Sequence, residues 1–229
     1  MSIVRNSISA VSLALLTVGC DADSTPPSAP RDTPQSIRAA PASATHDRFR
    51  LREVGAQTLF ASFDPSGCIE TDVVIVGVEQ TLKEGGKPTE QPLALVQVFL
   101  FDFCSGAVLR NLFGLTNDAE VVGDRKLNQA TVQGTIPVTD DITGATEEVE
   151  VDVVFTGFGG LTVASDRFHL RQPGFFLNVQ SRGTFRAADV SGSVVLGGEN
   201  LIAGPPVFAE LFRTRQGEMA VSRTPRDSV

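Results

Sequence analysis

Tryptophan and tyrosine are absent from this chain of 229 residues, although it contains 15 phenylalanines. Both missing residues combine an apolar ring with a polar edge, and they form the aromatic girdles of outer-membrane barrels. Their absence argues against a membrane-spanning barrel and, less strongly, against a surface that stacks on carbohydrate rings. Phenylalanine has no polar group, so its abundance is typical of hydrophobic packing.

Histidine is scarce as well, with two in the chain, and only His169 falls in the region that we expect to fold. One imidazole leaves a transition-metal site short of ligands, so we predict neither a metal nor a cofactor. Ser165 and Asp166 are close to His169 in sequence, but a triad needs hydrogen-bonded side chains, and no G-x-S-x-G elbow is present. We therefore lean against an enzyme and predict no catalytic residue.

Basic residues are outnumbered, since 19 Lys and Arg stand against 27 Asp and Glu, for a formal net charge of −8. Nucleic-acid binding requires basic patches that displace counterions, so we predict no nucleic-acid partner. Carboxylates cluster at Asp140, Asp141, Glu147 and Glu148, and oxygen ligands suit calcium. Their spacing matches no known calcium loop, so we prefer a solvated turn followed by an acidic strand face.

Long apolar runs are missing too. A membrane-spanning helix takes about 20 apolar residues, and the N-terminal run covers only residues 8–18. Arg5 precedes this run, and Gly19 and Cys20 follow it, which is the pattern of an export signal.

The segment Leu16-Thr17-Val18-Gly19-Cys20 resembles the lipobox of bacterial lipoproteins, with Thr17 where an aliphatic residue is usual. The resemblance implies that residues 1–19 are a signal peptide and that Cys20 is lipidated as the mature N-terminus. It also implies export and a lipid anchor in the bacterial cell envelope, on the periplasmic or surface side.

Residues 21–45 contain five prolines and one large aliphatic side chain, Ile37. Such a segment cannot bury enough apolar surface to offset the entropy of ordering it. We therefore predict that residues 20–49 are the lipidated cysteine and a disordered tether, that 50–222 form a single all-β domain, and that 223–229 are a disordered tail.

The chain has three cysteines, which leaves Cys68 and Cys104 as a pair if Cys20 carries lipid. They lie symmetrically about residue 86, inside the turn-forming segment Gly85-Gly86-Lys87-Pro88. A hairpin folded there opposes the two cysteines at a separation that a disulfide accepts. In this register Val74 faces Val98 and Val76 faces Val96. Both faces of the hairpin are apolar, so we expect the second face to be covered or to meet a partner or ligand.

Residues 50–222 are rich in Val, Thr, Ile and Phe, with Gly, Pro, Asn and Asp between the runs, which predicts strand after strand. The predicted strands are 56–63, 69–80, 92–103, 107–113, 126–138, 147–157, 160–165, 175–187, 189–196, 206–214 and 217–222. No segment keeps the helical period, so crossover helices are missing. We predict an antiparallel up-and-down β-barrel, with a two-sheet β-sandwich as the alternative.

Three strands alternate clearly between apolar and polar residues. A hairpin around residues 139–144 places Val132, Ile136 and Val138 on one face, opposite Val149 and its apolar neighbours. In strand 175–187 we expect the apolar residues to face inward and the polar ones outward. The inward set is Phe175, Leu177, Val179 and Phe185, and the outward set is Asn178, Gln180, Arg182, Thr184 and Arg186.

The stretch Phe168-His169-Leu170-Arg171-Gln172-Pro173-Gly174-Phe175, followed by Gly183-Thr184-Phe185-Arg186, resembles a pattern in uncharacterised secreted bacterial β-proteins. The resemblance implies an exported β-domain and carries no activity with it.

Three functions remain open. The first is a non-catalytic, membrane-tethered β-domain that contacts an envelope protein or the cell surface. The second is a lipid-anchored carrier that binds a small apolar ligand inside the barrel, and the third is a hydrolase or isomerase with an unrecognised site. The carrier hypothesis proposes a lining of phenylalanines, namely Phe99, Phe101, Phe103, Phe155, Phe175 and Phe185.

Overall fold

The computed structural model describes residues 44–84, 86–172 and 175–223, and this part of the chain contains strands and no helix. Cys20, the predicted signal peptide and most of the predicted tether lie outside the described residues. The strands are β1 (Ala44–Phe63), β2 (Ile69–Glu84), β3 (Thr89–Asp102), β4 (Ala107–Thr116), β5 (Glu120–Gly123), β6 (Gln129–Asp140), β7 (Thr146–Gly157), β8 (Thr162–Gln172), β9 (Phe175–Leu196), β10 (Glu199–Asn200) and β11 (Phe208–Arg223). No helix here is both long and apolar enough to cross a membrane.

Eight of the strands close into a ring through antiparallel ladders, in the order β1-β2-β3-β4-β6-β7-β9-β11 and back to β1. β5, β8 and β10 are attached to the ring at its margins. The prediction of an antiparallel all-β barrel is therefore confirmed, and the alternative of two separate sheets is not found. Closure is favoured because it pairs strand edges that would otherwise expose backbone hydrogen-bonding groups.

The strands of the ring differ in length, and β9, with 22 residues, extends beyond the barrel core. Its second part, from Ala188 to Leu196, pairs with β7, whereas its first part, from Phe175 to Ala187, pairs with β11. β8 pairs with that first part on the other side. A sheet therefore continues beyond the barrel core. It consists of the first parts of β1, β3 and β9, the last parts of β2 and β11, and the whole of β8. We call this sheet the open extension.

The barrel core lies inside the ring and consists mainly of valine, with Ile75, Leu112, Ile136 and Phe155 among its largest fully buried side chains. The hairpin of β6 and β7 has the predicted apolar faces, since Val132 faces Val153 and Ile136 faces Val149. Its alternate residues are exposed, including Gln133. The period-two pattern thus identified both the hairpin and its core face.

The hairpin of β2 and β3 forms where predicted, but the predicted register is wrong by one residue. Val73 faces Val98 and Val74 faces Gln97 in the structure. Val73, Ile75, Val96 and Val98 point into the core. Because both faces of these strands are apolar, the sequence pattern does not specify which set is buried, and a shift of one residue exchanges the faces.

The predicted orientation of β9 is wrong over its first part. Leu211 is a core residue of β11 and faces Arg186, whereas its neighbour Phe212 faces Phe185. Arg182, Thr184 and Arg186, from the predicted outward set, therefore share the face of the barrel interior. Leu177, Val179 and Phe185, from the predicted inward set, lie on the outer face. Over this part of β9 the barrel core ends and the open extension begins, so the inner face of the strand carries charged side chains.

Two strands, β5 and β10, were not predicted, and both are short. β5 leads into a turn that places Leu127 in the core, where its side chain is almost fully buried despite a backbone φ of 58°. Asp124 holds the turn by accepting hydrogen bonds from the Lys126 and Asn128 amides. Arg186 donates to the Leu127 carbonyl and to Asn128 Oδ1, at 3.2 and 2.7 Å. This turn closes the barrel where the open extension begins.

Candidate functional site

The barrel interior is filled by side chains. Gly77 of β2 faces Ala56 of β1 and Ala94 of β3, so it lies on the inner face. A Cβ atom built on Gly77 would lie 2.2 Å from a methyl carbon of Val132 on the opposite wall. Real Cβ atoms do not come so close, so a methyl group added at this point would require Val132 or the backbone to shift. Such close contact is typical of a packed core.

The five phenylalanines of the carrier hypothesis whose side chains the structure describes do not surround a common cavity. Phe155 is fully buried in the core. Phe99 and Phe101 lie on the outer face of β3 with ring centroids 6.4 Å apart, and Phe103 is exposed in the turn that follows. Phe185 lies half-buried on the outer face of β9. The side chain of Phe175 lies outside the described part of the structure.

The open end of the β2–β3 hairpin is held together covalently and by hydrogen bonds. Cys68 and Cys104 lie at disulfide-bonding distance, with Cα atoms 5.3 Å apart and a sequence separation of 36. The Asp64 carboxylate accepts hydrogen bonds from the Ser66 hydroxyl and from the Cys68 and Ile69 amides. The Ser66 hydroxyl, followed by the Ile69 amide, lowers the pKa of Asp64. Asp102 binds the Ser105 hydroxyl in the same way, and this bond is the largest cause of its lowered pKa.

Aromatic side chains cover this end of the hairpin. Phe101 and Phe103 meet edge to face at 4.8 Å, and Phe103 is 6.0 Å from Phe63. Phe63 and Phe103 remain 57% and 56% exposed. The phenylalanines that the sequence suggested as a barrel lining therefore lie largely on the outside, next to the cysteine pair.

The outer side of the sheet formed by β11, β1, β2, β3 and β4 is apolar over most of its width. One row across the strands runs Leu59, Val74, Gln97, Phe113, and the next runs Gln57, Val76, Leu95, Leu115. Phe113 and Leu115 are 41% and 39% exposed. We call this surface the outer apolar face; its members are Leu59, Val74, Val76, Val78, Leu93, Leu95, Phe99, Phe113, Leu115, Phe208 and Phe212.

The outer apolar face also affects a carboxyl group at its border. Asp72 lies between Ala61 and Phe99 in the ladder. Burial, followed by the charge of Glu70, raises the pKa of Asp72. A raised pKa for a carboxyl group indicates that the surface around it is poorly hydrated.

Part of this surface was visible in the sequence, because both faces of the β2–β3 hairpin are apolar. The sequence did not show the continuation onto β1 and β11, where Leu59 pairs with Phe208 and Gly55 pairs with Phe212. The apolar character of Phe208 and Phe212 was visible in the sequence. Their position beside β1 was not, because it depends on the closure of the ring.

The side chains of the considered triad are not arranged for catalysis. Ser165 and His169 lie on the same strand, β8, facing Arg182 and Asn178 of β9. Four residues of extended chain separate their Cα atoms by roughly 13 Å, whereas a nucleophile and its base need hydrogen-bond contact. Asp166 belongs to the opposite face of the strand, and its carboxylate accepts from the Arg167 amide.

The acidic group considered for calcium is engaged within the protein. Asp140 is buried and accepts hydrogen bonds from the Ile142 amide, the Thr143 hydroxyl and the Asn111 amide. Arg110 forms ion pairs with Asp140, at 3.9 Å, and with Glu147. These donors use the oxygen atoms that a cation would need, so the group acts as a structural turn.

Comparison with known proteins identifies no family for this chain. No family model matches the chain, and no curated protein matches it. One similar solved structure is a protein provisionally assigned as AttH from Nitrosomonas europaea, with 15% sequence identity and a TM-score of 0.23. The match covers 79% of this chain and 52% of that protein, so this chain spans about half the length of the protein that it matches.

Proposed function

We propose that this protein is a non-catalytic, exported β-domain that is anchored to a bacterial envelope membrane through lipid on Cys20. It contacts another envelope protein through the outer apolar face. The apolar ligand of the carrier hypothesis would need an internal cavity, and the closely packed interior at Gly77 and Val132 favours surface contact instead.

The observation that carries this proposal is the apolar character of both sides of the sheet. A barrel wall in water needs only its inner face apolar, and its outer face is expected to be polar. The β6–β7 hairpin follows that rule, with exposed Gln133 and Thr135 between buried valines. On β1–β4 the rule fails over several adjacent strands. Val78, Leu95 and Phe212 of this face are buried, whereas Phe113 and Leu115 are exposed at its β4 side. Exposed apolar side chains grouped on such a face mark a site of association.

Export is supported by two independent features. The lipobox-like segment ending at Cys20 resembles that of a lipoprotein precursor. The other two cysteines lie at bonding distance, and disulfides persist mainly in oxidising compartments outside the cytoplasm. A tether between Cys20 and β1 would hold the domain near the membrane and leave the outer apolar face free to meet a neighbouring protein.

In-cell photo-crosslinking tests the contact. A photoreactive residue at Phe113, in the middle of the outer apolar face, is expected to give one discrete adduct with another protein. The matched control is the same residue at Thr135, which is exposed on the polar face of β6 and should give none. Leu115→Asp, which places a charge beside position 113, should abolish the adduct while the melting temperature stays within a few degrees of the parent.

Three results would contradict the proposal. They are the absence of an adduct at position 113, equal adducts at positions 113 and 135, and an adduct that contains only a second copy of this chain.

A further inference from the structure

The inner face of the open extension carries a dense group of positive charges. Arg52 of β1 faces Arg215 of β11, and Arg215 faces Arg182 of β9. These three arginines share the face of Leu211 and Ala56, which lie further along the same strands in the core. In the adjacent row Arg50 faces Lys83 of β2. We call this group, with Arg167 and Arg213, the basic face; its members are Arg50, Arg52, Lys83, Arg167, Arg182, Arg213 and Arg215.

This grouping is unfavourable unless something compensates for it. Residues directly opposite in an antiparallel pair have Cα atoms about 4.5–5.5 Å apart, and like charges at such positions are destabilising. Here three guanidinium groups stand side by side across three strands. All three are exposed, in a protein whose overall charge is −8. Positive charge is therefore concentrated on this face of a protein whose net charge is negative.

No ion pair joins the central arginines to a described carboxylate. The ion pairs found among the described residues belong to Arg110, which lies on β4. Arg50, Arg52, Arg182 and Arg215 have no side-chain hydrogen bond or ion pair with another described residue.

Two open grooves meet at Arg182 and Arg215. The larger has a volume of about 890 Å³ and also contains four glutamates, Glu53 of β1, Glu79 of β2, Glu90 of β3 and Glu120 of β5. Glu79 accepts a hydrogen bond from the Gly123 amide at 3.1 Å. The smaller groove, of about 630 Å³, is lined by Arg50, Arg167, Arg182 and Arg215, with Asp166 as its acidic member. An anion in the smaller groove would meet arginines on three sides.

We propose that the basic face binds a ligand carrying two phosphate groups, with Arg182 and Arg215 at the centre and Arg50 and Arg52 beside them. The guanidinium group matches phosphate oxygens with two parallel hydrogen bonds. One phosphate carries at most about two negative charges. The four arginines that have no partner among the described residues provide four positive charges, which matches a diphosphate rather than a single phosphate. The shared chemistry fits both a soluble diphosphate and the diphosphate headgroup of a membrane lipid.

Calorimetry on the purified full chain tests this site, with inorganic pyrophosphate as the probe. We expect one molecule to bind per chain, with an affinity that falls as salt is added. Arg182→Gln and Arg215→Gln should each weaken binding by about tenfold or more, because each removes charge-assisted hydrogen bonds. Lys126→Gln removes one positive charge outside both grooves and is expected to leave the affinity unchanged.

A charge-preserving variant and vesicles complete the design. Arg215→Lys should also weaken pyrophosphate binding, because lysine lacks the planar fork; a structural role of Arg215 would instead appear as a lower melting temperature without a change in affinity. Sedimentation with phosphatidylcholine vesicles, with and without a diphosphate-headed lipid, identifies the source. Binding of pyrophosphate without binding to the diphosphate vesicles supports a soluble ligand. Binding to the diphosphate vesicles, lost in Arg182→Gln, supports a lipid.

The proposal is overturned if neither probe binds, or if the two Gln variants bind as the parent does. The crosslinking test at Phe113 does not depend on this outcome, since it probes the other side of the sheet.

Discussion

Gly77 illustrates at the scale of one residue how tightly the two walls of the barrel meet. Its backbone φ is ordinary for a strand, so the glycine is not needed for conformational freedom. It is needed for space, because Val132 occupies the volume where a side chain would begin. Adding atoms to a well-packed core displaces neighbours and usually costs about 1–3 kcal/mol.

Gly77→Ala is therefore expected to lower the free energy of unfolding by about 1–3 kcal/mol, measured by urea denaturation. The matched control is Gly160→Ala, since an added Cβ at Gly160 meets no atom within 4 Å and its φ is not in the left-handed region. Its stability should stay within about 0.5 kcal/mol of the parent. If Gly77→Ala is as stable as the control, the interior has free space at this point, and an internal ligand site becomes reasonable again.

At the scale of elements, β4 and β6 share the shortest ladder between neighbouring strands of the ring, and we call this ladder the seam. Only two residue pairs join these strands, Leu112 with Asp140 and Phe113 with Thr139. Side chains add to this short ladder, since the Asp140 carboxylate accepts from the Asn111 amide and lies 3.9 Å from Arg110. Gly114 lets the strands approach, because a Cβ there would lie 2.3 Å from the Pro137 carbonyl oxygen. The closure of the barrel thus depends on a few polar contacts.

The charge of Asp140 makes this seam sensitive to acid. The Ile142 amide, the largest favourable cause, together with Asn111, Thr143 and Arg110, lowers the pKa of Asp140 below its ordinary value of 3.8. The stabilisation is therefore complete above the unfolded-state pKa and is lost as the pH falls through the lower folded-state pKa. Asp140→Asn should lower the melting temperature by several degrees at neutral pH, and this difference should shrink as the pH falls below about 4.

Thermal unfolding followed by circular dichroism between neutral and acidic pH measures the effect. Asp118→Asn is the control, because Asp118 is exposed at the β4–β5 connection and its side chain makes no hydrogen bond to a described residue; its melting temperature should match that of the parent. A difference between Asp140→Asn and the parent that stays constant down to strong acid would show that the negative charge is not what holds the seam.

The whole molecule separates its surfaces by chemistry. The outer apolar face lies on the outside of β11 and β1–β4, and the basic face lies on the inside of the open extension. The core between them is solid where β2 meets β6. Two ligands of different chemistry could therefore be bound on opposite sides of one sheet, which gives the two proposals separate tests.

Intact mass spectrometry of the protein from its native membrane tests the anchor. The mature product should lack residues 1–19, carry fatty acyl groups on Cys20, and be two hydrogens lighter than the reduced chain because Cys68 and Cys104 are joined. Cys20→Ser should remove the acyl mass and release the protein from the membrane fraction, whereas Cys68→Ser should keep both. An uncut N-terminus at Met1, or two free thiols in the folded protein, contradicts the exported lipoprotein.

The sequence alone determined the class of fold and the parts with one unambiguous apolar face. Strict alternation in β6 and β7 predicted their pairing, because a strand with one apolar side has one way to bury it. The turn at Gly85-Gly86-Lys87-Pro88 predicted the hairpin that brings Cys68 near Cys104. These features are local, so the pattern of neighbouring residues contains the information.

Only the tertiary structure decided the register of β2 and β3, the orientation of β9 and the position of the functional surfaces. Where both faces of a strand are apolar, the alternation of side chains along the strand no longer identifies the buried face. A shift of one residue then buries an equally apolar set of side chains. Arg52, Arg182 and Arg215 come from three strands far apart in sequence and meet only when the ring closes. Their proximity depends on long-range pairing, for which a single sequence carries no local signal.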